Sequence, residues 1–165
     1  MFKNEPKINL FLESGGIWEG SFSNFINRRG GEKQQGKIAI KVEIDEEGII
    51  THSNSFFRPD GSQNDCVGSL KVKVEGNELI NLLDMDVDPN TKTKIENHKF
   101  EGYLADNHIY IHESYDDVFT NGKRDHRENT VHYYFVSKKK IIMLADVYVN
   151  EKLLVFANTV LSKKE

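Results

Sequence analysis

A series of short segments with strand character occupies residues 17–161, and this series constrains the fold more than any other feature. The clearest segment covers 37–45, where four branched apolar residues alternate strictly with polar ones. A period of two residues is typical of a β-strand with one buried face and one solvated face. The same pattern returns about ten times along the chain, which predicts an all-β protein.

The links between these segments are mostly short and rich in turn-forming residues, as in Glu46-Glu47-Gly48 and Pro59-Asp60-Gly61. Short links favour antiparallel pairing between consecutive strands. A long meander rarely stays open, because twist and unpaired edges favour closure. The sequence therefore predicts an antiparallel up-and-down β-barrel of about eight to ten strands, a size with room for side chains or one small ligand.

The segment before the first strand has helical features. Pro6 suits a first helical turn, Ile8 and Leu12 share an apolar side, and Gly15-Gly16 ends the segment. We expect residues 1–16 to form a short N-terminal helix that plugs one end of a barrel spanning 17–162. A chain of 165 residues fits a single domain covering 1–165.

Charge and composition exclude several classes of function. The net charge is −4 with both signs interspersed, so we expect no nucleic-acid partner. No apolar run approaches the ~20 residues of a membrane-spanning helix, and no secretory signal is evident. Cys66 is the only cysteine, which rules out an internal disulfide and suggests a buried or incidental thiol. We expect a cytoplasmic protein.

The first strand carries Gly16-Ile17-Trp18-Glu19-Gly20, with the only tryptophan of the chain. Together with the meander and the preceding short helix, this motif resembles the calycin superfamily of lipocalins, fatty-acid-binding proteins and their bacterial relatives. The chain looks like bacterial lipocalin-like families without assigned activity, and like the lipocalin-like phycobilin lyases. The resemblance implies that Trp18 packs across the closed end of the barrel, and that Gly16 and Gly20 are structural.

Two features depart from these families. Lipocalins place a late arginine over the tryptophan, whereas no arginine follows Arg127 here, and Lys152 and Lys163 are poor substitutes for a planar guanidinium. The motif also resembles haem-binding nitrobindin-like barrels, which use a histidine near the C-terminus. The last histidine here, His132, comes before the final strand. We therefore expect no cofactor.

Two segments have faces that the sequence leaves open. On 108–115, His108, Tyr110 and His112 share a face, and His132 and Tyr134 form a similar face on a later strand. If these faces point inward, the barrel holds a polar and aromatic cluster. If they point outward, the interior is filled by a more apolar set, namely Ile109, Ile111, Val131, Tyr133 and Phe135.

The strand at 49–58 mixes polar and apolar residues on both faces, which favours a polar-lined cavity. One face carries His52, Asn54 and Arg58. The guanidinium of Arg58 could bind a ligand carboxylate bidentately, or it could cap a loop.

Other candidate groups lack a supporting pattern. Asp84, Asp86, Asp88 and Asn90 have the spacing of calcium ligands, but Pro89 and Ile95 stand where an EF-hand needs glycine and glutamate, so a solvated acidic loop and no metal are expected. Three glutamates could act as acids or bases, although nothing in the sequence places two of them together: Glu101, Glu113 and Glu128. No catalytic residue is assigned.

The sequence thus favours binding of a small hydrophobic or amphipathic molecule inside a barrel. The candidate ligand-binding residues are Arg58, His52, Asn54, Tyr110, His112, His132 and Tyr134. Two alternatives stay open. One is a lyase or isomerase acting on a bound planar ligand such as a bilin, as the lyase resemblance implies. The other is a filled barrel that acts as a protein-interaction module.

Overall fold

The computed structural model describes residues 10–27 and 31–165, with the backbone alone at 66 and 67. These residues form ten β-strands and no α-helix. The strands are β1 (Gly16–Ile26), β2 (Glu32–Ile44), β3 (Ile49–Phe57), β4 (Gln63–Glu75), β5 (Glu78–Asn81), β6 (Lys94–Ala105), β7 (His108–Val118), β8 (Arg124–Ser137), β9 (Lys140–Val149) and β10 (Lys152–Lys163).

Every strand pairs antiparallel with its sequence neighbours, and β1 also pairs with β10, which closes the barrel. The predicted all-β barrel is confirmed. Among the described residues, no helix has the length and apolar character needed to cross a membrane.

One end of the barrel, hereafter the closed end, has Trp18 at its centre, and this side chain is 1% exposed and packs with the buried Phe11 of the preceding turns in the core. Its indole Nε1 donates a hydrogen bond of 2.8 Å to the carbonyl oxygen of Ser14, and the Ser14 hydroxyl donates to the carbonyl oxygen of Phe11. Lys163 places its ammonium 5.7 Å from the centre of the indole ring. The sequence analysis considered this lysine a poor substitute for the arginine of lipocalins. In the structure it covers the tryptophan by a cation–π contact.

The segment before β1 forms turns in its described part. Glu13 and Ser14 donate their backbone N–H groups to the carbonyl oxygens three residues earlier. The Phe11 side chain is buried in the core and meets the rings of His52 and Phe135. In its described part the segment therefore forms turns that insert Phe11 into the barrel, and residues 1–9 of the expected helix lie outside the described part of the chain.

The charged stretch 115–129 lies mostly in the β7–β8 hairpin, and its charged residues hide the period-two alternation in the sequence. On the outer face, His126 Nδ1 lies 2.8 Å from an Asp116 carboxylate oxygen. On the inner face, Arg127 lies 3.0 Å from Asp117. Opposite charges face each other across the two strands, so a polar sequence forms a regular ladder.

The wall of the barrel is incomplete between β5 and β6. The strand β5 ends at Asn81, whose side chain accepts a hydrogen bond from the backbone N–H of Leu83 and donates one to its carbonyl oxygen, which turns the chain away. Only one residue pair, Glu78 with Tyr103, joins β5 to β6. Residues 82–93, hereafter the gap loop, cover the remaining opening.

Gly20 occupies the closest backbone approach in the barrel wall. A Cβ atom built on Gly20 would lie 1.8 Å from the carbonyl oxygen of Val160 on β10. We expect Gly20→Ala to lower the free energy of unfolding by about 1–3 kcal/mol, because β1 and β10 must move apart. Urea unfolding followed by circular dichroism measures this change. Ser21→Ala, at an exposed neighbouring position, is the control, and equal stability of the two variants would contradict the expectation.

Candidate ligand-binding site in the barrel interior

The interior contains buried polar atoms that form no hydrogen bond with any described residue. They are both ring nitrogens of His52, the side-chain oxygens of Asn54 and Asn129, and Nε2 of His98. Buried polar groups in native proteins are nearly always paired, and each unpaired one costs about 1–3 kcal/mol. These atoms therefore mark a region of the interior that suits a polar group of a ligand, or water.

His52 is the most deeply buried of these residues, with 3% of its surface exposed. Its ring lies between those of Phe11 and Tyr133, at centroid distances of 5.9 and 5.7 Å and edge-on to both. Burial lowers the pKa of His52 from 6.5 to about 4, so the imidazole is neutral at pH 7. A neutral imidazole offers one donor and one acceptor, and both are free here.

Glu113 on β7 faces His98 on β6. Oε1 of Glu113 lies 3.5 Å from Nε2 of His98, which is an ion-pair distance longer than a charge-assisted hydrogen bond. Burial raises the pKa of Glu113 above its ordinary value, against smaller lowering effects of His98 and His112. Burial also raises the pKa of Tyr133 to about 12, with Glu113 adding to the rise. The pair places a carboxyl group and an imidazole together inside the barrel.

A cavity of about 340 Å³ separates the gap loop from this part of the wall. Its lining joins exposed loop residues to inward-facing wall residues, so it leads from the surface to Glu113. The volume lies within the usual range for small-molecule sites. The lining residues are Gly68, Ser69, Leu83, Asp84, Met85, Val87, Asp88, Pro89, Asn90, Glu113, Tyr115 and Asn129.

The acidic residues of the gap loop have different roles. Asp84 and Asp86 are exposed, as expected, but Asp88 is buried, which corrects the interpretation of the whole run as a solvated loop. One oxygen of Asp88 accepts backbone hydrogen bonds from Asn90 and Thr91, and the other accepts from the Tyr115 hydroxyl at 3.3 Å. Asp88 thus holds the loop against the barrel.

The structure divides the predicted site residues between two sides of the wall. His52 and Asn54 lie inside the barrel, with the unpaired atoms described above. Arg58 lies exposed just after β3, and its guanidinium donates hydrogen bonds to the Ser62 hydroxyl and the Gln63 carbonyl oxygen. The loop-capping interpretation of Arg58 is therefore the one that the geometry supports.

The other four predicted residues line the outer face, which corrects their expected position in the cavity. The buried faces of β7 and β8 carry the apolar set, including Ile109, Ile111 and Phe135. The outward residues are Tyr110, His112, His132 and Tyr134. The more apolar face turned inward because its burial removes more hydrocarbon surface from water.

These outward residues pack against one another on the surface. Nε2 of His108 lies 2.9 Å from Nδ1 of His132, and the ring of His108 stacks on that of Tyr134 at 4.5 Å. His112 Nδ1 lies 3.1 Å from the Thr130 hydroxyl. Partial burial, together with His132, lowers the pKa of His108. The cluster pairs two of its imidazoles with each other and leaves Tyr134 38% exposed.

Three interior residues were not chosen from the sequence, namely Glu113, His98 and Asn129. A signal for Glu113 was present, since it shares a strand face with Ile109 and Ile111. Of the three candidate glutamates, Glu113 alone turns inward, while Glu101 is exposed and Glu128 faces outward beside Ser114.

Solved structures with this fold are known, although the sequence itself has no match. No model of a known protein family matches the chain, and no curated protein matches it. The S-type phycobiliprotein lyase CPES from Guillardia theta superposes with a TM-score of 0.60 at 12% identity, over 94% of this chain and 91% of the lyase. The M. tuberculosis protein Rv2717c superposes with a TM-score of 0.59 at 10% identity, over 98% and 99%.

A protein of unknown function from the DUF3598 family of Nostoc punctiforme also has a TM-score of 0.59, at 10% identity. The alignment covers 97% of this chain and 51% of the Nostoc protein, so this chain spans about half of that longer one. At such identities the likenesses show a shared fold, which is consistent with a calycin-like barrel.

Changing His52 to leucine tests the cost of its unpaired nitrogens. We expect His52→Leu to raise the free energy of unfolding at pH 7 by about 1–3 kcal/mol. Because burial lowers the pKa of His52 from 6.5 to about 4, the unfolded chain binds a proton that the folded chain does not. The wild type should therefore lose stability as the pH falls through that interval, by roughly 3 kcal/mol, and the variant should lack this contribution.

Urea unfolding of both proteins between pH 7 and pH 4 measures the difference. Ser53→Ala, at the exposed neighbouring position on β3, serves as the control and should keep the wild-type pH dependence. An unchanged pH dependence in His52→Leu would contradict the assigned burial of His52.

Proposed function

We propose that this barrel binds a small amphipathic organic molecule in its interior, as a carrier, sensor or storage protein. The observation that carries the proposal is the set of buried, unpaired polar atoms on His52, Asn54, His98 and Asn129. A barrel that served only as a filled structural module would gain stability by replacing such groups with apolar ones. Their presence supports a polar group of a ligand as their partner.

Of these four residues Asn129 lines the cavity under the gap loop, and this cavity would supply the apolar part of the site. Leu83, Met85 and Tyr115 line it beside the carboxylates and Asn129. A ligand body packed against these side chains would contribute about 25 cal/mol per Å² of apolar surface removed from water. The polar groups would fix its orientation.

A second function has one observation in its favour. The carboxyl group of Glu113 and the imidazole of His98 form a pair that could transfer protons, as a lyase or isomerase acting on a planar ligand requires. A phycobiliprotein lyase shares the fold. The cavity of about 340 Å³ is near the lower limit of ligand sites, which favours a ligand smaller than a bilin. Mass analysis of a bound ligand before and after incubation would distinguish an enzyme, which alters it, from a carrier.

Binding of the n-alkanols from butan-1-ol to decan-1-ol, measured by calorimetry, tests the proposal. We expect the affinity to rise about fourfold per methylene, since each buried CH₂ contributes about 0.8 kcal/mol, until the cavity is full. Met85→Trp, which fills the cavity, should abolish the dependence on chain length. Leu82→Trp, at an exposed position of the same loop that does not line the cavity, should preserve it. Equal behaviour of the two variants would contradict interior binding.

A further inference from the structure

The lining of the cavity under the gap loop carries negative charge without a basic partner of its own. Three of the twelve lining residues have carboxyl groups, Asp84, Asp88 and Glu113, and none of the twelve is lysine, arginine or histidine. Asp88 already accepts three hydrogen bonds. The carboxyl groups of Asp84, at the surface, and of Glu113, inside the barrel, are therefore available to interact with a molecule in the cavity.

The basic groups around the cavity compensate the charge of Glu113 only in part. The nearby guanidinium of Arg127 lies 6.0 Å from the centre of the Tyr115 ring, and it is paired with Asp117 at 3.0 Å. His98 faces Glu113 at 3.5 Å, and its Nε2 forms no hydrogen bond with the described residues. His112 lies on the outer face of β7, and its effect on the pKa of Glu113 is a small lowering. Burial raises the pKa of Glu113 more than His98 and His112 lower it, so a further cationic group beside this carboxyl group would be favourable.

Two unpaired side-chain oxygens in and beside the cavity lining also favour one kind of ligand. The side-chain oxygen of Asn129, a lining residue, accepts no hydrogen bond, and the same is true of Asn54, whose amide borders Gly68 of the lining. Both are carbonyl acceptors. Acceptors beside a carboxylate are satisfied by a ligand group that donates several hydrogen bonds and carries positive charge.

We propose that the cavity binds the protonated amine of an amphipathic organic cation, with Glu113 as its counter-ion and the Asn129 side-chain oxygen as a second acceptor. This inference rests on the proposed interior binding, and it adds the chemical class of the ligand. The exposed carboxylate of Asp84 lies at the mouth of the cavity, where it favours entry of a cation. The apolar tail packs against Leu83 and Met85.

Three probes that share one tail test the inference: octylamine, octan-1-ol and octanoate. At pH 7 they carry a positive, a neutral and a negative head group. We expect calorimetry on the intact chain to give octylammonium an affinity roughly ten- to hundredfold above that of octan-1-ol, because hydrogen bonds to charged groups are the stronger ones. Octanoate should bind most weakly.

Glu113→Gln keeps the size and hydrogen-bonding capacity of the side chain and removes its charge. The preference for octylammonium over octan-1-ol should fall at least tenfold in this variant, by roughly the factor that the charged contact supplied. Glu101→Gln, an exposed glutamate on β6, should retain the full preference. Circular dichroism confirms that both variants fold.

The outcomes separate the two proposals. If octan-1-ol binds and octylammonium binds no better, or if Glu113→Gln keeps the preference, the cationic ligand is overturned and interior binding stands. If none of the three probes binds, the proposed function itself fails. An octanoate preference would also overturn the inference and would point to a basic site elsewhere.

Discussion

Replacement of Trp18 by alanine is expected to lower the free energy of unfolding by about 3–5 kcal/mol, the usual range for removing a large buried aromatic side chain. The indole is 1% exposed, fills the closed end of the barrel, and holds the turn before β1 through its hydrogen bond to Ser14. The variant loses the packing, that hydrogen bond and the contact with Lys163 together. Urea unfolding followed by far-ultraviolet circular dichroism measures the loss, since the only tryptophan is gone.

Trp18→Phe separates these contributions. It retains a ring in the closed end and loses the indole N–H, so we expect a smaller cost of about 1–2 kcal/mol. Ile17→Thr changes the adjacent, exposed position and should stay within about 0.5 kcal/mol of the wild type. A Trp18→Ala variant as stable as Ile17→Thr would show that the closed end is not organised around the indole.

Arg127→Met is expected to cost about 3–5 kcal/mol, because it leaves a buried carboxylate without its charged partner. Asp117 is 0% exposed, and it accepts a hydrogen bond from Arg127 Nε at 3.0 Å and another from the Thr93 hydroxyl at 2.8 Å. Only the threonine remains in the variant. Thermal and urea unfolding of the purified variant measure the effect.

Two further variants make this test specific. Asp117→Asn combined with Arg127→Met removes both charges and should recover a substantial part of the loss. Arg124→Met removes a half-exposed arginine that pairs with Glu96 and Asp116 on the outer face, and it should cost about 0–1 kcal/mol. Similar losses for Arg124→Met and Arg127→Met would mean that burial of Asp117 does not control the stability of the β7–β8 hairpin.

The strand series and the barrel were predictable, because period-two alternation survives over part of most strands and depends only on local sequence. The ends of the strands were harder to predict where charged residues face each other across strands, as in the β7–β8 hairpin. The end of β5 depends on a side-chain turn at Asn81. This turn leaves an opening in the wall. The opening depends on how distant segments of the chain pair, so no local sequence pattern predicts it.

Only part of the site could be predicted from the sequence, because the residues of the site depend on which face of each strand turns inward. His52 and Asn54, which the sequence analysis named as candidate ligand-binding residues, lie inside the barrel, and their binding of a ligand stays a prediction. The sequence left open which face of β7 and β8 turns inward, and the candidates named there lie on the outer face, so Glu113 and Asn129 were not named as binding residues. The position of His98 does not follow from the alternation of strand faces alone. A bulge at Asn97, with φ of 56°, shifts the register of β6 against β7 and brings His98 to Glu113.

Nuclear Overhauser contacts between octan-1-ol and the isotope-labelled protein test the central claim most directly. Interior binding predicts contacts from the alkyl protons to Leu83, Met85 and Tyr115, and their loss in Met85→Trp. Contacts confined to the outer aromatic face, at Tyr103, Tyr110 and Tyr134, would contradict the claim and would place the binding surface outside the barrel.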